Sequence, residues 1–216
     1  MTNLRLFTTT AVIVCLIALG IGIGVYSARY YRDRTPSAIE GMLWPHPKEL
    51  KPFATIDQTG NLFDLERFQG KWSFLFFGYT HCPDVCPATL SILNQVTTRL
   101  RQSGQAEVVQ VLFVSADPER DTPQQLADYL GRINPEFIGL GGMPAQVRSL
   151  TGQIGVVAVP GEQAANGDYR VNHSTAIFLI DPAARLLSVY SAPHHVESIL
   201  ARFEKIRSFI NKKHKG

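Results

Sequence analysis

Apolar runs and apolar stripes alternate along most of this chain. Trp72–Phe77 is apolar except for Ser73, and Val108–Val114 is apolar except for Gln110. Runs of this length, bounded by turn residues, predict buried strands. Between them Leu90, Leu93, Val96 and Leu100 recur at helical spacing, and the stripe stops near Gly104. Thr122-Pro123-Gln124-Gln125 predicts a helix start in which Thr caps, Pro takes the first position and Gln reaches back. Leu126, Tyr129, Leu130 and Ile133 give that helix its apolar face. A further helix is expected from about Pro144, burying Val147, Leu150 and Ile154, then a strand over Val156–Val159 and a polar loop over Gly161–Asp168. Phe53–Ile56 predicts a short strand, Thr175–Ile180 and Arg185–Tyr190 a hairpin around Asp181-Pro182, and Val196 to Ile210 a last helix. Strands alternating with helices, closed by a hairpin and a helix, predict the α/β class: a mixed sheet with helices on both faces.

The first quarter of the chain follows a different pattern. Phe7–Tyr26 contains no charged residue, and about 20 apolar residues suffice to cross a bilayer core. The resulting division is a short segment 1–6, a transmembrane anchor 7–26, a tether 27–52, a folded domain 53–212 and a basic tail 213–216. The tether is marked by Pro36, Pro45, Pro47 and Pro52, with little apolar periodicity. A cleaved signal peptide competes with the anchor, but its apolar core would be shorter. Cys15 follows Val14 and not a small residue, so it reads as an apolar filler of the run. Arg29, Arg32 and Arg34 outnumber Arg5 across the run, and the positive-inside rule alone would keep the domain in the cytoplasm. The net charge of +3 implies no nucleic-acid-binding face. Three cysteines fit an exported domain in which stray thiols are a liability.

Two of those cysteines, Cys82 and Cys86, stand where the Trp72–Phe77 strand turns into the next helix. A helix N-terminus has free N–H groups and partial positive charge, so the corner favours thiolate over thiol. With Pro83 and Pro87 both present, the first helical turn is either distorted or begins at Pro87. Three readings of Cys-x3-Cys compete. A disulfide exchanger usually spaces its thiols by two residues; a soft-metal site needs further ligands from elsewhere; a structural Cys82–Cys86 disulfide would close only a tiny loop, where bridging stabilises least. The position favours chemistry over structure. His173, just before the Thr175 strand, is the candidate third ligand, because a two-thiolate copper site also wants an imidazole. His81 is expected to face solvent or to support the site from outside the ligand set. His194-His195 makes a poor chelate, and His46 and His214 have no case. Asp84 and the cluster Asp117, Arg120 and Asp121 are candidates for holding the cysteine loop or docking a partner.

At these residues the chain resembles a known family. Phe77-Gly78-Tyr79-Thr80-His81-Cys82-Pro83-Asp84-Val85-Cys86-Pro87 is similar to the cysteine motif of the Sco/SenC copper-binding assembly proteins. Ser115 to Pro123 resembles the family's second block, and Asn172-His173-Ser174 with Leu179 to Pro182 its third, Asn172 replacing the usual aspartate. The resemblance covers most of Phe53–Phe209. It implies a thioredoxin-like domain held by one membrane helix on the outer side of a bacterial inner membrane, mitochondrial relatives facing the intermembrane space. It also implies one copper, Cu(I) or Cu(II), bound by Cys82, Cys86 and His173, with Cys82 and Cys86 also the redox-active pair. The implied partner is the copper-bearing subunit of cytochrome c oxidase, with other copper chaperones or thioredoxin-like reductants upstream. The competing reading is a membrane-tethered thiol–disulfide oxidoreductase or thiol peroxidase on the same fold.

Overall fold

The computed structural model describes residues 15–27, 42–43, 47–104, 109–163 and 168–214. The expected segment 1–6, the first half of the expected anchor, most of the tether with Trp44 and His46, and the end of the tail lie outside them. The chain divides into two compact units, Met1–Glu40 and Gly41–Gly216. In the first, residues 15–27 form helix α1, with Leu16, Ile17, Leu19, Ile21, Ile23 and Val25 all exposed. Among the described residues no helix is long and apolar enough to cross a membrane.

The second unit is built on strand β4. Its strands are β1 (Lys48–Glu49), β2 (Ala54–Asp57), β3 (Leu62–Asp64), β4 (Trp72–Gly78), β5 (Val109–Ser115), β6 (Ile138–Gly141), β7 (Val159–Gln163), β8 (Tyr169–Asn172), β9 (Ile177–Ile180) and β10 (Arg185–Tyr190). Its helices are α2 (Val85–Gln102), α3 (Pro123–Gly131), α4 (Pro144–Ile154) and α5 (Val196–His214). Among the described residues, eight strands form one mixed sheet in the order β1-β10-β9-β4-β5-β6-β2-β3, while β7 and β8 pair only with each other. All seven residues of β4 are buried. It runs parallel to β5 on one side and antiparallel to β9 on the other.

Alternation along β4 explains why both faces need helices. Phe74 and Phe76 enter a cluster with Leu90 and Leu93 of α2, Leu126 of α3 and Phe203 of α5. Leu75 and Phe77 enter the opposite cluster with Val147, Leu150 and Ile154 of α4 and with Phe53, Phe63 and Phe68. A strand covered on both faces loses polar alternation, hence the unbroken apolar run in the sequence. Each such side chain contributes about 1.5–3 kcal/mol by burial, so β4 is the strand least able to move.

The expected elements are found, with three corrections. Strand β6 went unforeseen because glycines alternate with its apolar residues. A Cβ on Gly139 or Gly141 would lie 2.9 Å from a methyl of Leu130 or Leu126, so α3 packs directly on the β6 backbone. The expected strand over Val156–Val159 begins only at Val159. Before it, α4 ends at Gly155 in the left-handed conformation, φ 80°, and Val156 turns into the core. The polar loop expected from Gly161 is a strand as far as Gln163. The expected α3 capping box is present: Thr122 N–H donates to Gln125 Oε1 (2.9 Å) and Gln125 N–H to Thr122 Oγ (3.2 Å).

Candidate metal centre

Parallel pairing sets Gly78, the last residue of β4, beside Ser115, the last of β5. Glycine is required there by packing. A Cβ on Gly78 would lie 2.5 Å from Phe113 Cε2 and 3.0 Å from Cys86 Sγ. The chain then turns through Tyr79–Asp84, with Cys82 N–H donating to Tyr79 O (3.2 Å), and α2 begins at Val85. This corrects the expectation about the prolines. Pro87 occupies the third helical position, where the backbone N–H has no intrahelical partner, so its ring removes nothing. The first regular bond is Ala88 N–H to Asp84 O, 3.2 Å.

One of the free N–H groups of that turn points at sulfur: Cys86 N–H donates to Cys82 Sγ at 3.4 Å. The positive helix end therefore acts on the half-buried Cys82. At Cys86 a different effect wins. Its side chain is fully buried, and burial, with the neighbouring Cys82 thiol adding to it, pushes the Cys86 thiol well above its ordinary value of 9.0. The expectation that the corner favours thiolate thus fails for Cys86 in the metal-free fold. Both cysteines are free thiols.

His173 arrives from the other side of the chain, one residue past β8. Its Nε2 lies 3.8 Å from Cys86 Sγ. Its Nδ1 lies 2.8 Å from Ser174 O; a carbonyl can only accept, so Nδ1 carries the proton and Nε2 keeps its lone pair. The ring is fixed edge-on by Tyr79, centroids 5.9 Å apart at 87°, and by Phe76 at 6.3 Å. A groove of about 270 Å³ lined by Tyr79, Cys82, Asp84, Asn172 and His173 opens from the site to solvent. Two soft sulfurs and a pre-oriented imidazole nitrogen fit a copper ion by donor chemistry. Among the described residues, no group of three or more His, Cys, Asp or Glu side chains is already gathered at metal-holding spacing.

The charge cluster after β5 divides its work between the two sides. Asp121 is buried and accepts from Thr80 N–H (3.1 Å), Thr80 Oγ (2.6 Å) and Ser115 Oγ (2.7 Å), fixing the start of the cysteine turn. Burial outweighs those bonds and raises the Asp121 carboxyl above its ordinary 3.8. Asp117 and Arg120 face the histidine hairpin instead: Arg120 donates to Asp117, to Asp168 (2.8 Å) and to Tyr169 O (2.8 Å). His81 is exposed, its Nδ1 3.1 Å from Thr80 Oγ, and Asp84 is exposed without a side-chain cap bond. His194 donates from Nε2 to Thr175 O (2.8 Å), a backbone tie away from the thiols. Sequence reasoning passed over Tyr79, Tyr169, Thr80 and Ser115. Tyr79 and Thr80 lie inside the cysteine motif, whereas nothing near Tyr169 in sequence marks it.

The SCO1/SenC family profile matches residues 45–208. The chain belongs to the SCO1/SenC family. It is 36% identical over 148 residues to the mitochondrial SCO1 homolog 1 of Arabidopsis thaliana, covering 68% of this chain and 44% of that protein. It is also 36% identical over 163 residues to mitochondrial SCO2 of Saccharomyces cerevisiae, covering 74% and 54%. The SCO1/SenC match thus spans about half the length of these relatives. Among solved structures, Arabidopsis thaliana ScoI with copper bound superposes with TM-score 0.67 at 32% identity, covering 75% of this chain and 98% of that one. Bradyrhizobium japonicum ScoI with copper bound gives TM-score 0.65 at 34% identity, covering 73% and 98%. BsSco, a member of the Sco family of cytochrome c oxidase assembly proteins, shares the fold at 20% identity and TM-score 0.61.

Proposed function

We propose that this SCO1/SenC chain carries one copper ion as cargo between Cys82, Cys86 and His173 and serves assembly of the binuclear copper centre of cytochrome c oxidase. The observation that carries the reading is the imidazole. His173 is held with its protonated nitrogen on a backbone carbonyl and its lone pair 3.8 Å from a buried cysteine sulfur, an arrangement that sets a nitrogen donor beside sulfur as a copper site requires. The competing oxidoreductase reading is not favoured, because exchange pairs usually space their thiols by two residues and solved relatives of this chain include ScoI proteins with copper bound. Cys82 and His173 are both partly exposed and line one groove, so each is accessible to an entering ion. The apolar segment 7–26 would anchor the domain at a bacterial inner membrane on the side away from the cytoplasm, or at its mitochondrial counterpart. The oxidase's copper-bearing subunit would be the recipient, and other copper chaperones or thioredoxin-like reductants would act upstream.

Redox state and His173 test the reading together. The dithiol form should take up about one equivalent of Cu(I), and the Cys82–Cys86 disulfide form essentially none, since oxidation removes both thiolate ligands. His173→Ala should keep thiol–disulfide exchange with a small disulfide. It should lose at least tenfold in copper affinity, the low end of what even an outer-shell change costs. Unchanged copper binding by His173→Ala would move the oxidoreductase reading ahead.

A further inference from the structure

Among the described residues, the β7–β8 hairpin that delivers His173 has no strand partner in the eight-stranded sheet, and side chains tie it to the domain. We propose that Arg120 is a positioning residue for His173, fixing the imidazole against Cys86 by clamping the start of β8. The proposal rests on the reading of His173 as a ligand given above. Four observations carry it. Arg120 donates to the Asp168 carboxylate, just before β8, and to the carbonyl of Tyr169, its first residue, both at 2.8 Å. Its guanidinium lies 3.6 Å from the centroid of the Tyr169 ring and 5.9 Å from that of Tyr79, the ring that packs on His173. Asp117 closes the arrangement, accepting from Arg120 and from Tyr169 Oη (3.0 Å). The Arg120 side chain keeps only 20% of its exposure and Asp117 5%, so that pair is shielded from water and salt, whereas Asp168 keeps 64%.

The strand period connects the clamp to the imidazole. Tyr169 and Val171 sit at alternate positions of β8 and share one face, and His173 follows one residue past the strand end. Val171 is buried in the same core cluster as Tyr79. With Tyr169 held by Arg120 and Asp117, and Val171 held in the core, the chain enters His173 from a fixed start, and the Tyr79 ring takes the imidazole edge-on. The next residue of the cluster, Asp121, holds the cysteine turn through Thr80. One short segment, 117–121, thereby sets the spacing between the thiols and the histidine.

Arg120→Lys tests this, because a lysine keeps the charge but cannot serve Asp117, Asp168 and Tyr169 with a planar fork while stacking on a ring. In the metal-free full chain, proton NMR should show the His173 ring losing or averaging its contacts with Tyr79 and Phe76, with α2 and β4 signals unmoved. Loaded with Cu(II) alone, Arg120→Lys should lose nitrogen hyperfine structure from the copper resonance and bind about 10–100-fold more weakly, the range for changes outside the ligand set. Tyr169→Phe, which keeps the stack and loses only the Asp117 bond, should move both readouts less, in the same direction. Arg101→Lys, in the Arg101–Glu136 surface pair, should move neither. Unaltered His173 ring contacts in Arg120→Lys would overturn the proposal and leave the copper reading standing. If the parent chain binds no copper, the copper reading falls and the metal-free NMR comparison still decides the clamp. If Arg120→Lys unfolds, Tyr169→Phe decides by the same two readouts.

Discussion

Cys86 sits at the centre of the fold and His173 at the end of a hairpin outside the main sheet, yet the two are in contact. The cysteine side is continuous with β4 and α2. It is packed by Phe113 and Gly78 and tied to β5 and its following loop through Ser115 and Asp121. Its geometry is covalent, short-range and shared with the core, so moving it means disturbing the strand that both hydrophobic clusters need. The histidine side is held by a few polar side chains and two aromatic edges. Local stability varies across a fold, and segments with few buried apolar contacts open at lower cost than core strands. A site with one fixed and one releasable side can hold a cargo ion and also give it up.

The largest test of that contrast is Gly78→Ala. Its methyl would lie within 3.0 Å of both Phe113 and Cys86 Sγ, in a strand that cannot give. The cost should approach the upper end for overpacking, about 3 kcal/mol, or a fall in Tm of roughly 6–12 °C for a domain of this size. A loss under about 0.5 kcal/mol would show the cysteine side to be softer than argued.

Asp121→Asn should cost less. The amide oxygen can still accept from Thr80, but Ser115 loses its acceptor, worth about 1–2 kcal/mol. The pH dependence carries the sharper signature. The folded Asp121 pKa lies above 3.8, so this group's contribution to stability is full below 3.8 and is lost as pH rises through the folded value. Denaturant titrations across that interval should find the deficit of Asp121→Asn largest at the acid end and shrinking as pH rises. A deficit that grows with pH would mean that Asp121 folds as a favoured carboxylate.

Gly161→Ala should have the smallest effect, although its Cβ would come within 3.0 Å of Arg170 O across the β7–β8 pair. This hairpin can shift without disturbing the main sheet, so global stability should fall by less than about 1 kcal/mol. The amide of Val171 should nonetheless exchange with solvent several-fold faster, with the β4 amides unchanged. A global loss matching that of Gly78→Ala would make the two sides equally rigid and remove the basis of the comparison.

What the sequence alone determined lies on the local side of this contrast. The apolar runs of β4 and β5, the stripes of α2 and α5 and the capping box of α3 are short-range patterns, legible because neighbours in sequence are neighbours in space. Cys82 and Cys86 belong to that class, and so does the glycine before their turn. His173 could be singled out by residue type and family resemblance, but its contact with Cys86 spans 87 positions, and no local pattern encodes that. The tertiary structure also decided which way the imidazole faces, through Ser174 O, and which sulfur the helix N-terminus addresses. It raised the Cys86 thiol pKa where helix position alone pointed to thiolate, because loss of water at the buried sulfur outweighs the field of a helix end. It divided the cluster Asp117, Arg120 and Asp121 between the two sides of the site. These outcomes depend on desolvation and on which distant side chains meet, quantities that exist only once the sheet has brought the ends of β4, β5 and β8 together.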